Sequence, residues 1–464
     1  MDLKKYRMVY FIGIGGIGMS ALARYFKSLG LEISGYDRVS TSLTDELESE
    51  GMKIHFEDSI SMIPSSIIDP SNKDCLLIIY TPAIPSNHSE LNYFRSNDYQ
   101  IYKRSEVLGE ITRSKFSIAV AGTHGKTTTS SIIAHILKYS GKDCTAFLGG
   151  IAKNYNSNFL LPNKGNENSP VVVEADEYDK SFLTLHPDIA VITSMDADHL
   201  DIYGDKNHLE ENYRKFSSQV KSTGKLFAKL GLGFKDNSYS YSITNDADFK
   251  AKNIEIKNHH YVFDVEGIYG MILGLSLGLP GIHNVENALA ATAIAQYLGI
   301  ENNIIKDALK SYSGVKRRFD LRFISDDTIY IDDYAHHPEE LRACIQSVKE
   351  LYPNKKITGI FQPHLFTRTR DFVDGFAKSL SMLDELILMN IYPARELPIE
   401  GITSSIILDK VTIPNKRILS DKEILYEIEN TKTDVLLTLG AGDIDKLVEP
   451  IEHILKSKSK SLIA

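Results

Sequence analysis

Short apolar runs recur along the chain, and most are followed by polar residues and then by apolar positions three or four apart. Met8 to Ile14 predicts a strand, Met19 to Leu29 a helix and Leu31 to Tyr36 a second strand. Cys75 to Tyr80 predicts another, ending in Thr81-Pro82-Ala83. This alternation predicts β-α-β units on a parallel sheet. A second series opens at Phe116. Phe116, Ile118, Ala119 and Val120 predict a strand, and Ile132, Ile133, Ile136 and Leu137 a helix. Val171 to Val173 and Ile189 to Ile192 predict further strands. Between about Leu226 and Leu279 the runs shorten and alternate, as in Tyr261-Val262-Phe263 and Met271-Ile272-Leu273. A small antiparallel patch is expected there. Helical spacing returns from Asn284 to Leu298, and a boundary falls near Gly314. A third α/β series then runs through Thr328 to Ile331, Lys356 to Phe361, Glu385 to Asn390 and Asp434 to Leu439.

At 464 residues the chain is too long for one core. The pattern predicts an α/β protein of three domains: a Rossmann-like domain over 1–110, a central P-loop ATPase-type domain over 111–313 that carries the antiparallel patch, and a C-terminal Rossmann-like domain over 314–464. A net charge of −9 without a long basic block argues against a nucleic-acid partner. Lys456, Lys458 and Lys460 read as a solvated end. Cys75, Cys144 and Cys344 are few, distant and odd in number, which predicts reduced thiols and a cytoplasmic protein. Lys4 and Lys5 before an apolar run superficially suggest a leader, but Gly13, Gly15, Gly16 and Gly18 weaken any helix there. No apolar run is long enough to span a bilayer, so no integral membrane association is expected.

The most specific chemistry lies in Gly122-Thr123-His124-Gly125-Lys126-Thr127-Thr128, between a predicted strand and a predicted helix. Glycines let backbone N–H groups close on phosphate oxygens, and the helix N-terminus adds partial positive charge. Lys126 would reach the outer phosphates and the Thr127 hydroxyl would ligate Mg²⁺. The loop is tighter than the common phosphate loop, which would place a glycine at Val120. The competing reading is a plain glycine turn before a helix.

Gly13-x-Gly15-x-x-Gly18 opens the first helix, and Asp37 lies near the end of the second strand. This fits a dinucleotide fingerprint, in which Gly15, Gly16, Ile17 and Gly18 would approach a pyrophosphate and Asp37 a ribose hydroxyl. A NAD-binding oxidoreductase would satisfy it, and so would any nucleotide diphosphate, including a UDP-sugar. Glu174-Ala175-Asp176-Glu177 and Asp196-Ala197-Asp198-His199 each end a strand beside the phosphate loop. A carboxylate so placed is a common Mg²⁺ ligand, and Glu174 and His199 are the favoured pair; acidic loop residues or caps are the alternative. Asn284 and Asn287 lie one turn apart on a helix and could read an adenine edge or cap the helix. Arg317-Arg318 could clamp a phosphate or be a solvated patch. In the third domain Asp332-Asp333-Tyr334, Gln362-Pro363-His364, Tyr392-Pro393-Ala394-Arg395-Glu396 and Gly440-Ala441-Gly442-Asp443 all follow strands, which points to one working face.

Taken together the chain resembles the Mur ligases of peptidoglycan precursor synthesis. The resemblance is carried by GIGGIGMSALA from Gly13, GTHGKTTT from Gly122, EADEYDKSFL from Glu174 and MDADHLDIYG from Met195. It continues with GIHNVENALAA from Gly281, GVKRRFD from Gly314, DDYAHHPEE from Asp332, QPHLFTRTRDF from Gln362, IYPARELPI from Ile391 and GAGD from Gly440. The resemblance implies a first domain for a UDP-sugar, a second for ATP and a third that closes with the amino acid. It implies transfer of L-alanine to the lactyl carboxylate of UDP-N-acetylmuramic acid through an acyl phosphate, giving ADP and phosphate. A sister reading is the ligase that recycles murein tripeptide onto the same sugar nucleotide. From other classes, an oxidoreductase leaves most motifs unused, and a nucleotide-gated binding protein would show no acceptor-dependent turnover.

By the same resemblance Lys126, Glu174 and His199 are catalytic, and Thr127, Glu174 and His199 hold Mg²⁺, with Mn²⁺ as an alternative. Asn284 and Asn287 would contact adenine, Arg318 and Asp333 would approach the nucleotide, and His364 and Arg368 would lie near the alanine. The expected partners are small molecules, on a monomer or homodimer. Leu365 stands where some members carry arginine, Tyr178 where some carry serine, and Tyr80-Thr81-Pro82-Ala83-Ile84 departs from the family's substrate loop.

Overall fold

Strands covered on both faces need nearly unbroken apolar runs, and the chain supplies them in three separate sheets. The computed structural model describes residues 2–163, 168–196, 203, 205–235, 237–394 and 396–461. The first sheet holds β1 (Met8–Ile12), β2 (Glu32–Tyr36), β3 (Lys53–His55), β4 (Leu76–Tyr80) and β5 (Ile101–Lys103). Its order is β3-β2-β1-β4-β5, and every pair is parallel. Helix α1 (Ile17–Ser28) follows β1, and α2 (Arg104–Ser114) follows β5. Val9 and Phe11 face one core with Leu22 and Phe26 of α1, while Tyr10 and Ile12 face the other with Leu91 and Phe94. This is the period of two expected of a strand.

The second sheet has ten strands. They are β6 (Ser117–Ala121), β7 (Thr145–Ala152), β8 (Ser157–Leu160), β9 (Val171–Glu174), β10 (Ile189–Ile192), β11 (Lys225–Lys229), β12 (Ser238–Ser242), β13 (Phe249–Lys257), β14 (His260–Gly267) and β15 (Gly270–Ser276). The order is β15-β14-β13-β12-β11-β10-β6-β9-β7-β8. Helix α3 (Lys126–Tyr139) leaves β6 through the phosphate loop, and α4 (Ile282–Tyr297) follows β15. The antiparallel patch is smaller than the sequence pattern suggests. Strands β11 and β12 continue the parallel series, and β12 pairs parallel with β13. The sequence of β12 alternates serine and tyrosine although both of its neighbours are parallel, so alternation here does not report strand direction. The patch begins with the β13–β14 hairpin, whose two-residue loop Asn258-His259 takes positive φ at both positions (51° and 62°). That is the form a tight antiparallel hairpin requires.

The third sheet holds β16 (Asp320–Ile324), β17 (Ile329–Asp333), β18 (Ile357–Phe361), β19 (Glu385–Leu388), β20 (Lys416–Ile418) and β21 (Val435–Leu439). Its order is β16-β17-β21-β18-β19-β20, and only β16 runs antiparallel. The carboxyl ends of the parallel strands therefore share one edge, as the strand-end motifs predict. Helix α5 (Pro338–Leu351) follows β17.

By contacts the chain divides into two compact units: Met1–Lys252 with Asp264–Leu275 and Glu286–Tyr312, and Asn253–Phe263 with Ser276–Val285 and Ser313–Ala464. The first sheet and most of the second lie in the first unit. Tyr25 of α1 packs against Phe147 and Phe159 at 5.5 and 6.3 Å, and the Asn158 amide donates to Ile17 O at 2.5 Å. Residue 110 lies inside α2, and the second unit resumes at Ser313. All three cysteines are free thiols, and burial pushes Cys144 up to about 12. Among the described residues no helix is long and apolar enough to cross a membrane.

Candidate active site

Within the first unit, the phosphate loop joins β6 to α3. Gly125 caps the helix with φ +81°, a conformation that L side chains rarely adopt, and a Cβ there would lie 2.5 Å from Asn287 Oδ1. At Gly122 a Cβ would meet Thr193 Oγ1 at 2.0 Å and the Ser194 amide at 2.8 Å. The loop is thus pressed against the segment after β10. The His124 amide donates to Ser194 Oγ at 2.8 Å, and the Thr123 hydroxyl donates to Asp196 O at 2.9 Å. The Thr193 hydroxyl donates to His124 O, and His124 Nε2 lies 3.5 Å from Asp196 Oδ2. Thr128 is buried in the first turn of α3.

Two pairs define the chemistry. The Thr127 hydroxyl donates to Glu174 Oε2 at 2.8 Å, and the Gly149 amide donates to the same oxygen at 3.0 Å. Lys126 Nζ donates to Gly122 O at 2.7 Å and to Glu177 Oε1 at 2.9 Å. Burial opposes the Lys126 charge, but Glu177, with Glu174 and Asp176 beyond it, lifts its pKa above the usual lysine value. Burial pushes Glu177 up to about 7, against the pull of Lys126. Thr127 and Glu174 offer adjacent hard oxygen donors at the start of α3, a set that suits Mg²⁺, which takes one or two carboxylates and completes its shell with phosphates and water. His199, the third expected ligand, lies outside the described residues, as does Asp198. Among the described residues there is no cluster of three or more His, Cys, Asp or Glu able to hold a metal.

Asn287 is brought to this loop, where its Oδ1 accepts from the Thr129 hydroxyl at 3.1 Å. Asn284 is almost fully buried, and its amide donates to Pro280 O at 2.6 Å. This bond ties the first turn of α4 to the preceding backbone.

The fingerprint loop lies in the same unit. The Gly13 and Ile14 amides donate to Tyr36 O at 2.8 and 3.0 Å, and the Gly15 amide donates to Asp37 Oδ2 at 2.7 Å. The acidic residue expected at a ribose hydroxyl therefore also organises the loop. Gly16 is the N-cap and Ile17 the first residue of α1, with no side-chain cap. Gly18 faces Arg104.

In the second unit, Asp333 at the end of β17 accepts from the Phe319 amide at 2.6 Å and the Ala335 amide at 2.7 Å. Burial pushes it up to about 6, opposed by Arg318. Both guanidinium groups of Arg317 and Arg318 lie over the Tyr334 ring, at 5.2 and 4.8 Å, and Arg317 also donates to Gly440 O at 2.6 Å and to Asp332 at 3.2 Å. His364 stacks on Tyr392 with centroids 5.7 Å apart. Arg368 is buried on the short helix Phe366–Asp371, whose Thr367 amide donates to Glu396 at 3.0 Å. Leu365 enters that helix with φ +71°, a strained conformation for this residue type.

Sequence reasoning put Glu177 in an acidic run without a role, and it passed over Arg104. Their importance arises from partners distant in sequence. The only local hint for Glu177 was its place three residues after Glu174.

Three family models match the chain: the Mur ligase family catalytic domain over 8–116, the Mur ligase middle domain over 120–295 and the Mur ligase glutamate ligase domain over 317–442. A UDP-N-acetylmuramate–L-alanine ligase of Flavobacterium johnsoniae is 52% identical, over 98% of this chain and 99% of its own. Among solved structures, a UDP-N-acetylmuramate-alanine ligase of Thermotoga maritima matches with TM-score 0.82 at 29% identity, over 98% of this chain and 99% of its own. A murein peptide ligase of Psychrobacter arcticus matches with TM-score 0.70 at 22% identity, over 96% of this chain and 99% of its own, a likeness of fold.

Proposed function

The chain belongs to the Mur ligase family, and from that premise we propose that it is an ATP-consuming ligase joining L-alanine to the lactyl carboxylate of UDP-N-acetylmuramic acid, with release of ADP and phosphate. The observation that carries the reading is 52% identity, over almost the whole of both chains, to a relative of that name. The murein-peptide alternative rests on a structural likeness at 22% identity, which speaks for the fold.

The reaction sets two anions against each other, since a carboxylate must attack a polyphosphate. Lys126, held charged by its carboxylate neighbours, would neutralise the outer phosphates. Thr127 and Glu174 would hold Mg²⁺, with His199 as the further ligand the family implies. When bound, the ion would add positive charge where negative charge develops. Gly122, Thr123, His124, Gly125 and Thr128 would cradle the phosphates, and Asn284 and Asn287 would hold the adenine. Arg318 and Asp333 would serve the nucleotide from the C-terminal domain. The lactyl carboxylate takes the γ-phosphoryl group and ADP leaves. The alanine amine then attacks the carbonyl carbon of the acyl phosphate, so that a C–N bond forms as the C–O bond to phosphate breaks. Arg368 would pair with the alanine carboxylate beside His364. In this reading residues 1–110 hold the sugar nucleotide, 111–313 the ATP and 314–464 the amino acid, in a cytoplasmic monomer or homodimer.

The acyl phosphate is testable by isotope transfer. With ¹⁸O in both lactyl carboxylate oxygens, each phosphate released should carry one ¹⁸O. Unlabelled phosphate would rule out attack by the carboxylate on ATP.

A further inference from the structure

We propose that Arg104 binds the diphosphate of the sugar-nucleotide substrate, reaching it across Gly18 at the start of α1. The proposal rests on the ligase reading above, which supplies that diphosphate.

Arg104 is the first residue of α2, directly after β5. Its Nη1 lies 2.0 Å from where a Cβ on Gly18 would stand, and its Cζ lies 3.0 Å away. In a dinucleotide fold the third glycine of the fingerprint serves close packing of helix on strand. Here it makes room for a guanidinium. Arginine carries five N–H donors in a fixed fork. Among the described residues the acceptor for this fork is Asp176 Oδ2, at 3.2 Å, and the Arg104 side chain is only 23% exposed. One carboxylate oxygen at that distance leaves most of the fork unspent in a half-buried place.

The surroundings make that place suitable for an anion. No side chain caps α1, because its N-cap is Gly16. The Gly13, Ile14 and Gly15 amides are already taken by Tyr36 O and Asp37. The N–H groups of the first turn remain, with the positive end of the helix dipole behind them. The fork is also held in position. Lys103, next to Arg104, pairs with Asp179 at 2.8 Å, so consecutive cations are fixed by two carboxylates from the segment after β9. A fork aimed at a helix N-terminus matches the geometry of a diphosphate, which arginine grips through paired hydrogen bonds. Asp176, two residues after Glu174, then serves as the positioning residue for Arg104, and the acidic run after β9 supports two different ligands.

The test is equilibrium binding of UDP, UDP-N-acetylglucosamine, UDP-N-acetylmuramic acid and ADP to wild type and to Arg104→Ala, Arg104→Lys and Gly18→Ala. Arg104→Ala should weaken all three uridine ligands alike, by about 10- to 100-fold, the loss expected for a charge-assisted contact. ADP affinity should stay unchanged. Arg104→Lys should recover only part of the loss, because an ammonium lacks the fork. Gly18→Ala keeps the charge but fills its space, and should also lose affinity for the uridine ligands. Equal UDP binding by wild type and Arg104→Ala would overturn the proposal. So would a loss confined to UDP-N-acetylmuramic acid, which would put Arg104 on the lactyl carboxylate, or an equal loss for ADP, which would indicate general damage. No uridine binding by wild type would overturn the ligase reading along with it.

Discussion

Lys126 Nζ lies 2.9 Å from Glu177 Oε1 and 2.8 Å from Oε2, and both side chains are largely buried. Lysine in a phosphate loop is usually discussed through the phosphate it meets. Here its charge already faces a carboxylate inside the protein, which lifts the lysine pKa above its usual value. Removing one partner strands the other. Lys126→Met should abolish turnover and also destabilise the fold by about 3–5 kcal/mol, the cost of an unpaired buried charge. Adding Glu177→Gln should restore much of the stability and none of the activity. Urea melts of the single and double variants measure this, and additive losses would refute the pairing.

The contact between Thr127 and Glu174 leads to a different expectation. Glu174→Gln keeps the shape and the hydrogen bond but removes the charge a cation needs. It should fold as wild type and lower kcat on the order of 100-fold or more. The Mg²⁺ concentration for half-maximal rate should rise. An unchanged Mg²⁺ dependence would remove Glu174 from the metal site.

Gly125 and Gly122 are predicted to be intolerant of a methyl group, since both hold a positive φ (+81° and +133°). Their neighbours differ: at Gly125 the obstacle is the side chain of Asn287, and at Gly122 it is the backbone of Thr193 and Ser194, which has little room to yield. Both alanine variants should cost about 1–3 kcal/mol of stability. Both should lose ADP binding measured by calorimetry, and Gly122→Ala should lose more. By contrast Gly141→Ala, where nothing crowds a Cβ, should keep ADP binding.

Glu90 supplies a pH prediction. It is fully buried, receives the Tyr10 hydroxyl at 2.7 Å, and is pushed up to about 7 by burial, against an ordinary 4.5. Its folded pKa exceeds its unfolded one, so the folded state holds the extra proton. The stability this proton contributes is fully present below about pH 4.5 and drains away as pH rises to about 7. Glu90→Gln should flatten that slope, an effect of at most about 3 kcal/mol between the two limits. Chemical denaturation at pH 5 and pH 8 measures it, and identical slopes in variant and wild type would refute it.

Much of this was readable from the chain because some residues have few physical uses. Glycine before Lys126-Thr127 at a strand–helix junction calls for a backbone that side chains rarely adopt, and Gly125 takes that positive φ. A carboxylate ending a buried strand next to that loop, as Glu174 does, was equally legible. Strand direction was less so: the Ser-Tyr alternation of β12 looks like that of an antiparallel strand, yet β12 pairs parallel with both neighbours. Glu177 and Arg104 were hidden for another reason. Their partners, Lys126 and Gly18, lie far away in sequence, and a charge in a helix or loop gives no local sign of what it will meet.

The central claim is tested most directly by phosphate release from ATP with Mg²⁺ and UDP-N-acetylmuramic acid, adding L-alanine, glycine, L-serine or murein tripeptide in turn. The account predicts strong stimulation by L-alanine and a product heavier by one alanyl residue. A pocket that distinguishes one methyl group supplies about 1–3 kcal/mol, so weak turnover with glycine is expected as well. Stimulation by the tripeptide alone, or by no acceptor at all, would contradict it.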